Sequence, residues 1–493
     1  VERSWASYGP IATEAPVGAD GRPLQLADLG KLARRGVRAV AQAARVDDRV
    51  TFASLLGGHL GPRAAGAEVA EEAWPGYEHV NVQAGLDAWL AGAGRSSQVV
   101  GVLAFRHQLF GLAELLTMTD LGPHSPRPGN AATVNLPCGP DGATRPCLRC
   151  ALVLVEQDGV RTALLVRGPE PEMGLVQASV QALSTDPAAA GAALREIRVA
   201  ADEHNVFRRQ VLSFGQEVFG HGQTLLQFHR RTQLDSEQLV LDAGTMAEIE
   251  RQVVDVARHK ARLLAAGQHL KRGLLLYGPP GVGKTHTVRY LIGRLAETTV
   301  VQLTGNALHL IAEACSVARS LQPAMIVVED VDLIAEDRGM HPGQHPLLFQ
   351  LLNEMDGLAE DADVVFLLTT NRADLLEPAL AARPGRVDQA VELTLPDRAA
   401  RRALFDLYRG SLAMDLAGLD DVLDRTDGVT ASFLKELIRR AALFAADRTA
   451  DGELQVSAAD LTSALDELLG TRNAMTRTLL GAQPTSAQPT RLA

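Results

Sequence analysis

The sequence predicts an α/β protein: a parallel sheet built around a phosphate loop, closed by a C-terminal helical lid and preceded by an α+β region. Three observations predict it. GPPGVGKT (278–285) lies between an apolar run, GLLLY (273–277), and a helix-forming stretch, THTVRYLIGRL (285–295). Short apolar runs then alternate with helical stretches, the pattern of parallel strands covered on both faces. Residues 397–468 read as all-helical.

Composition bounds the answer. A chain of 493 residues suggests about three domains at roughly 150 residues each. With 46% hydrophobic residues it can bury sizeable cores. A net charge of −11 argues against a general nucleic-acid binder, which wants a basic face. No window approaches about 18 uncharged apolar residues, and the opening VERSWASYGP lacks a signal-peptide pattern. No membrane partner and a cytoplasmic location are therefore expected. Only five of the 48 basic residues are lysines: Lys31, Lys260, Lys271, Lys284 and Lys435.

In chain order, LADLGKLARRGVRAVAQAAR (26–45) has helical spacing, and residues 76 to 120 are apolar without a clear period. GPHSPRPGN (122–130) reads as a loop. Cys138, Cys147 and Cys150 supply three ligands of a zinc site, but no fourth stands at ligand spacing; the plainer reading is that they flank a hairpin. ALVLVEQDGVRTALLV (151–166) is a hairpin around Asp158-Gly159. GLVQASVQAL (174–183) reads as a strand, 187–204 as an amphipathic helix and VFRRQVLSF (206–214) as a strand. The basic FHRR (228–231), with Arg208 and Arg209, reads as a solvated face. Residues 1–235 thus form an N-terminal α+β region, in one or two subdomains, expected to recognise a partner. Residues 236–396 form the core: a helix at 245–266, then strands GLLLY, TTVVQL (298–303), AMIVV (324–328), VVFLLTT (364–370) and AVELTL (390–395). The lid follows at 397–472, and 473–493, rich in Pro, Ser, Thr and Gln, reads as a flexible tail.

The phosphate loop carries the strongest chemistry. Its GxxxxGK[ST] pattern stands in the strand–loop–helix setting the motif requires. Glycines let successive N–H groups turn inward as an anion nest at a helix N-terminus. Gly278, Pro279, Pro280, Gly281, Val282, Gly283, Lys284, Thr285 and His286 are the candidate nucleotide-binding residues, with Lys284 for the β- and γ-phosphates and Thr285 for Mg²⁺. AMIVV ends in Glu329, Asp330 and Asp332, the acidic strand end that phosphoryl-transfer sites need. Glu329 is expected on the metal side, Asp330 as the residue that polarises the attacking water, and Asp332 at the metal end.

Five features together resemble the AAA family of ATPases, within the AAA+ class: GPPGVGKT, IVVEDVDLI (326–334), LLNEMDGL (351–358), LLTTNR (367–372) and RPGRVD (383–388). GVTASFLKELIRRAAL (428–443) looks like the start of the family's lid. The resemblance covers residues 236–470, and within the family it runs to bacterial ATPases of the SpoVK or proteasome-regulator type. It implies ATP and Mg²⁺ as cofactors, a homo-oligomer, usually a hexameric ring, and an unidentified protein substrate. Asn371 matches the sensor of the γ-phosphate and attacking water. Arg383 and Arg386 match arginine fingers, which act on the neighbouring subunit's nucleotide. Two departures stand out. The acidic pair runs Glu-Asp where most members have Asp-Glu. The segment 303–323 has no aromatic where threading members have one, so His309 or Leu308 would have to substitute. These departures keep an alternative open: a nucleotide-gated scaffold with slow hydrolysis.

Overall fold

The computed structural model describes residues 50–62, 66–104, 110–118, 125–216, 224–332, 346–374, 387–448 and 453–470. The expected helix at 26–45, the tail, and Arg383 and Arg386 lie outside the described residues.

The first unit is an antiparallel sheet between two pairs of helices. Its strands are β1 (Ala70–Pro75), β2 (Arg95–Leu103), β3 (Arg127–Gly129), β4 (Ala132–Pro137), β5 (Thr144–Gln157), β6 (Val160–Arg167) and β7 (Gln177–Ser184), in the order β1-β7-β6-β5-β2-β3, with β4 also paired to β5. Helices α1 (Phe52–Leu60) and α3 (Leu112–Thr117) cover one face, where Leu56 and Leu115 meet Leu152, Leu154 and Leu165. Helices α2 (His79–Leu90) and α4 (Pro187–Glu203) cover the other, where Leu86 and Ile197 meet Val153, Val155 and Leu164. Both faces of β5 and β6 are dry, which explains the unbroken apolar run ALVLV. Asp158 and Gly159 turn the β5–β6 hairpin with φ of 52° and 79°, as a two-residue hairpin requires. Within the stretch expected to be a loop, Arg127–Gly129 instead forms the short strand β3 against β2.

The cysteines do flank a hairpin, with Cys138 at the end of β4 and Cys147 and Cys150 on β5. Cys147 packs on one side of the sheet and Cys150 on the other. The two thiols therefore sit in different apolar clusters. Burial pushes the two thiols up to about 12 and about 11.

The second sheet is the core. Strands β8 (Val211–Gln216), β9 (Thr224–His229), β10 (Arg272–Tyr277), β11 (Thr299–Leu303), β12 (Ala324–Val328), β13 (Val364–Thr370) and β14 (Gln389–Glu392) take the order β14-β10-β13-β12-β11-β8-β9, parallel apart from the β8–β9 hairpin. Helix α5 (Ala243–Glu250), a π-helical turn (Arg251–Asp255) and α6 (Val256–Ala265) replace the single helix expected at 245–266. Helices α7 (Lys284–Arg294), α8 (Ile311–Ser320) and α9 (Pro346–Asp356) complete the layers. Leu274, Val327 and Leu367 pack toward α7, and Ile326, Phe366 and Leu368 toward α8 and α9. The hairpin β8–β9 falls within the stretch read as N-terminal region, yet Val300–Gln302 of β11 pairs with Val211–Ser213. The sheet therefore begins upstream of residue 236. Val80 and Cys147 of the first unit join the core cluster through Phe207, Leu212 and Leu226, and the Tyr77 and Phe214 rings meet edge-on at 6.1 Å.

FHRR is only partly a solvated face. Arg230 is exposed and pairs with Asp141. Arg231 instead donates from its guanidinium to the carbonyls of Ile292 (2.6 Å), Leu295 (3.0 Å), Thr298 (2.7 Å) and Arg209 (3.0 Å).

The lid has its own core. Helices α10 (Arg398–Arg409), α11 (Leu419–Arg425), α12 (Ala431–Arg448) and α13 (Ala458–Leu469) bury Phe405, Phe433, Leu437 and Leu465. Two residue pairs, Ala413–Met414 and Gln455–Val456, add a short parallel ladder to a segment read as all-helical. Among the described residues, no helix is long and apolar enough to cross a membrane.

Candidate functional site

The phosphate loop leaves β10 and ends on α7. Gly278, Gly281 and Gly283 hold φ of 144°, 84° and 111°, open to glycine and strained for other residues. A Cβ on Gly278 would stand 2.2 Å from the Leu393 carbonyl oxygen. Such conformations allow an anion nest beside the N-terminus of α7, where the helix dipole favours an anion. Lys284 opens that helix. Its side chain is 7% exposed, and Nζ donates to the carbonyls of Gly278 (2.7 Å) and Pro279 (2.9 Å). Burial lowers its pKa to about 8, while the charges of Asp330 and Asp332 act the other way.

Thr285 follows, and its Oγ1 donates to Glu329 Oε2 at 3.0 Å. A hydroxyl and a carboxylate side by side suit a hard cation such as Mg²⁺. Asp330 turns away from the strand with φ of 53°. Its N–H donates to Thr369 Oγ1 (3.2 Å), and its Oδ1 accepts from Asn371 Nδ2 (3.4 Å). Asp332, expected at the metal end, is buried and accepts from Thr370 Oγ1 (2.8 Å) and the Asn371 N–H (3.3 Å), clamping the end of β13 that carries Asn371.

Loop, acid and lid enclose one cavity of about 350 Å³. Pro280, Gly281, Val282, Gly283, Lys284, Thr285, His286, Asp330 and Asn371 line it. Glu329 and Pro279 reach it through Thr285 and Lys284. The chemistry fits a triphosphate with its metal: an anion nest, a buried ammonium, an oxygen pair and a second carboxylate beside an amide. The cavity's other wall escaped the sequence reading. Gln238, Leu239 and Val240 contribute from the segment before α5, Leu404 and Tyr408 from α10, and Ser432 and Lys435 from α12. Ser432 ties the lid to the loop, its N–H donating to the Gly281 carbonyl at 3.2 Å. One signal could have found Lys435: the scarcity that made Lys284 informative applies to it too.

The segment after β11 treats the two residues that would have to substitute for a pore aromatic differently. Gly305–Leu310 is a 3₁₀ turn in which Leu308 is 5% exposed, packed into the core, whereas His309 stands exposed.

Fold and site together define a nucleotide-binding domain of the phosphate-loop class with a helical lid. Residues 274–395 match the family described as "ATPase family associated with various cellular activities (AAA)", so this part of the chain is an AAA ATPase domain. The chain is 36% identical over 242 residues to the ATP-dependent zinc metalloprotease FtsH 2 of Sphaerobacter thermophilus, covering 47% of this chain and 36% of that protein. It is 34% identical over 241 residues to FtsH 3 of the same organism, covering 46% and 48%. It is 32% identical over 244 residues to the FtsH zinc metalloprotease of Mycobacterium leprae, covering 46% and 30%. The chain thus spans less than half the length of each of these relatives.

Proposed function

We propose that this chain is a Mg²⁺-dependent ATPase that assembles as a ring of like subunits, a hexamer in the family's usual form, and remodels a protein partner recognised by the region ahead of the core. One observation carries the reading: Lys284, the Thr285–Glu329 pair and the Asp330–Asn371 pair converge on one cavity that the lid also lines. Thr285 and Glu329 would hold the metal, Glu329 partly through water, and Mg²⁺ bound there would supply charge neutralisation for the phosphate oxygens. Lys284 adds a point charge there, and Asp330 and Asn371 orient the attacking water. Arg383 and Arg386 act on the nucleotide of the adjacent subunit.

Phosphate release measured on the wild type, Lys284→Ala and Asp330→Asn tests this. Lys284→Ala should abolish turnover, and Asp330→Asn should retain bound ATP without splitting it. Turnover that survives Lys284→Ala overturns the proposal.

The burial of Leu308 favours a second reading, a nucleotide-gated scaffold, because it takes an apolar grip away from the 304–310 segment. Under that reading wild type and Asp330→Asn hold ATP equally long.

A further inference from the structure

The first unit holds a cavity of about 180 Å³ on the face of its sheet. Register sets Ala73 of β1 beside Ser179 of β7, and Ser179 beside Arg167 of β6. Glu71, Gln181 and Leu165 form the next row across the same strands. Alternate residues of a strand share a face, so all these side chains stand on one side of the sheet. Leu165 places that side beneath α1 and α3, and the cavity is the part those helices leave open. Among the described residues β1 is the outermost strand. Ala73 on it is exposed, Ser179 is half-buried and Leu165 is buried. The cavity therefore opens at the sheet edge and closes inward.

Its polar groups are held in place. The Leu112 N–H donates to Gln181 Oε1 at 2.8 Å, which leaves Gln181 Nε2 to donate to Glu71 Oε2 at 3.2 Å. The Arg167 guanidinium donates to the Phe110 carbonyl, and its Cζ stands 4.5 Å from the Phe110 ring centroid. A guanidinium carries more N–H donors than one carbonyl can take. Among the described residues no carboxylate forms an ion pair with Arg167; Glu170, on the loop that follows, pairs with Arg149. That loop forms the rim. Glu170 and Leu175 exchange backbone bonds at 2.7 and 3.1 Å, and Gly174 turns between them with φ of 75°. Val176 is thereby held out beside the cavity, 66% exposed.

The two charges decide what fits. Arg167 and Glu71 stand two strands apart, about 10 Å by the usual strand spacing. The cation is at the inner end and the anion at the mouth. A planar guanidinium suits a carboxylate, so a ligand enters with its carboxylate inward and presents N–H groups or a basic side chain to Glu71. A free amino acid would leave Val176 bare, whereas a longer chain passing out over the sheet edge covers it. We propose that this cavity binds the carboxylate end of an extended polypeptide, its terminal carboxylate on Arg167 and its preceding residues crossing Ser179 and Ala73. This rests on the partner-recognition reading above and gives the partner's chemistry; it does not depend on the nucleotide site.

Fluorescence anisotropy on the intact chain tests it. The probes are short peptides labelled at the N-terminus and varied in their last residues, each made with a free carboxylate and with a terminal amide. The free-carboxylate form should bind at least about tenfold more tightly, the scale of a charge-assisted pair. Arg167→Gln should erase that difference. Ser179→Leu, which fills the floor without touching a charge, should weaken the free-carboxylate peptides by a similar factor, and it decides the matter if Arg167→Gln fails to fold. Equal binding of the two forms, or no binding of either, overturns the proposal, since acidic side chains within a peptide are indifferent to amidation. Free amino acids that displace the label as well as unlabelled peptide does would overturn the assignment to a chain end. Lys284→Ala should bind the peptides as the wild type does. Phosphate release surviving in that variant would strike the ATPase reading and leave this one standing.

Discussion

At the scale of single residues, the Glu-Asp order has a local reason. Position 330 sits in the left-handed region, which after glycine Asn and Asp tolerate best, because their short polar side chains bond nearby backbone. Glu329, on the strand end, has the longer side chain that reaches Thr285. The reversed pair therefore matches its backbone: the long carboxylate goes where reach is needed, the short one where the chain turns. Lys284 makes a pH prediction. Burial brings its pKa to about 8 in the free protein, and bound phosphates favour the charged ammonium. Below about pH 8 the group is charged both free and bound, so binding exchanges few protons at this site. Above that, binding must first take up a proton, and affinity falls by up to about tenfold per pH unit. ATP titrations from pH 7 to 9.5 should show a plateau and then a decline, with calorimetric proton uptake on the declining limb. A flat profile through pH 9.5 would show that Lys284 does not titrate there.

At the scale of elements, the decisive one is α7, held at both ends. Its N-terminus bears the phosphate loop. Beyond its C-terminus Arg231 gathers four carbonyls, two of them from Ile292 and Leu295. A cation there offsets the helix dipole and satisfies acceptors the helix leaves open. Arg231→Ala should lower the unfolding free energy by about 2–4 kcal/mol, since it strands several acceptors that a charged donor now satisfies. Arg231→Lys should recover less than about half of it, because an ammonium lacks the planar fork. Urea unfolding of the three proteins measures both; a loss below about 0.5 kcal/mol for the alanine variant would return Arg231 to the solvated face. Local pattern was enough to find α7, its loop, the acidic strand end and β10 to β13, because each is specified by contiguous residues. It was not enough for the β8–β9 hairpin, whose partner strand β11 lies about 90 residues on, nor for Arg231, whose acceptors are backbone atoms. Tyr408 and Lys435 were missed for the same reason: the lid reaches the cavity only through tertiary packing.

At the scale of the whole molecule, the first unit and the core share one apolar cluster, from Val80 and Cys147 through Phe207 and Leu226 to Ile326 and Phe366. A partner held on the first unit, as proposed, would act on the sheet that carries Glu329 and Asp330 through this cluster. Chemistry that depends on assembly would make that pull collective. A head-to-tail contact that closes forms a ring, and an arginine supplied across such a contact can be worth about 10³–10⁵ in rate where it has been characterised, in GTPases. Two inactive variants test the arrangement. Lys284→Ala removes the site that binds nucleotide but keeps Arg386; Arg386→Ala keeps the site but loses its finger. Each alone should turn over little ATP. Mixed and allowed to exchange subunits, they should regain a fraction of wild-type turnover, because an Arg386→Ala site beside a Lys284→Ala neighbour receives an intact arginine. Restored activity should rise with total protein concentration as mixed contacts form. A mixture as inactive as its components would mean that Arg386 serves its own subunit's nucleotide or none, and the ring would then lose its catalytic reason.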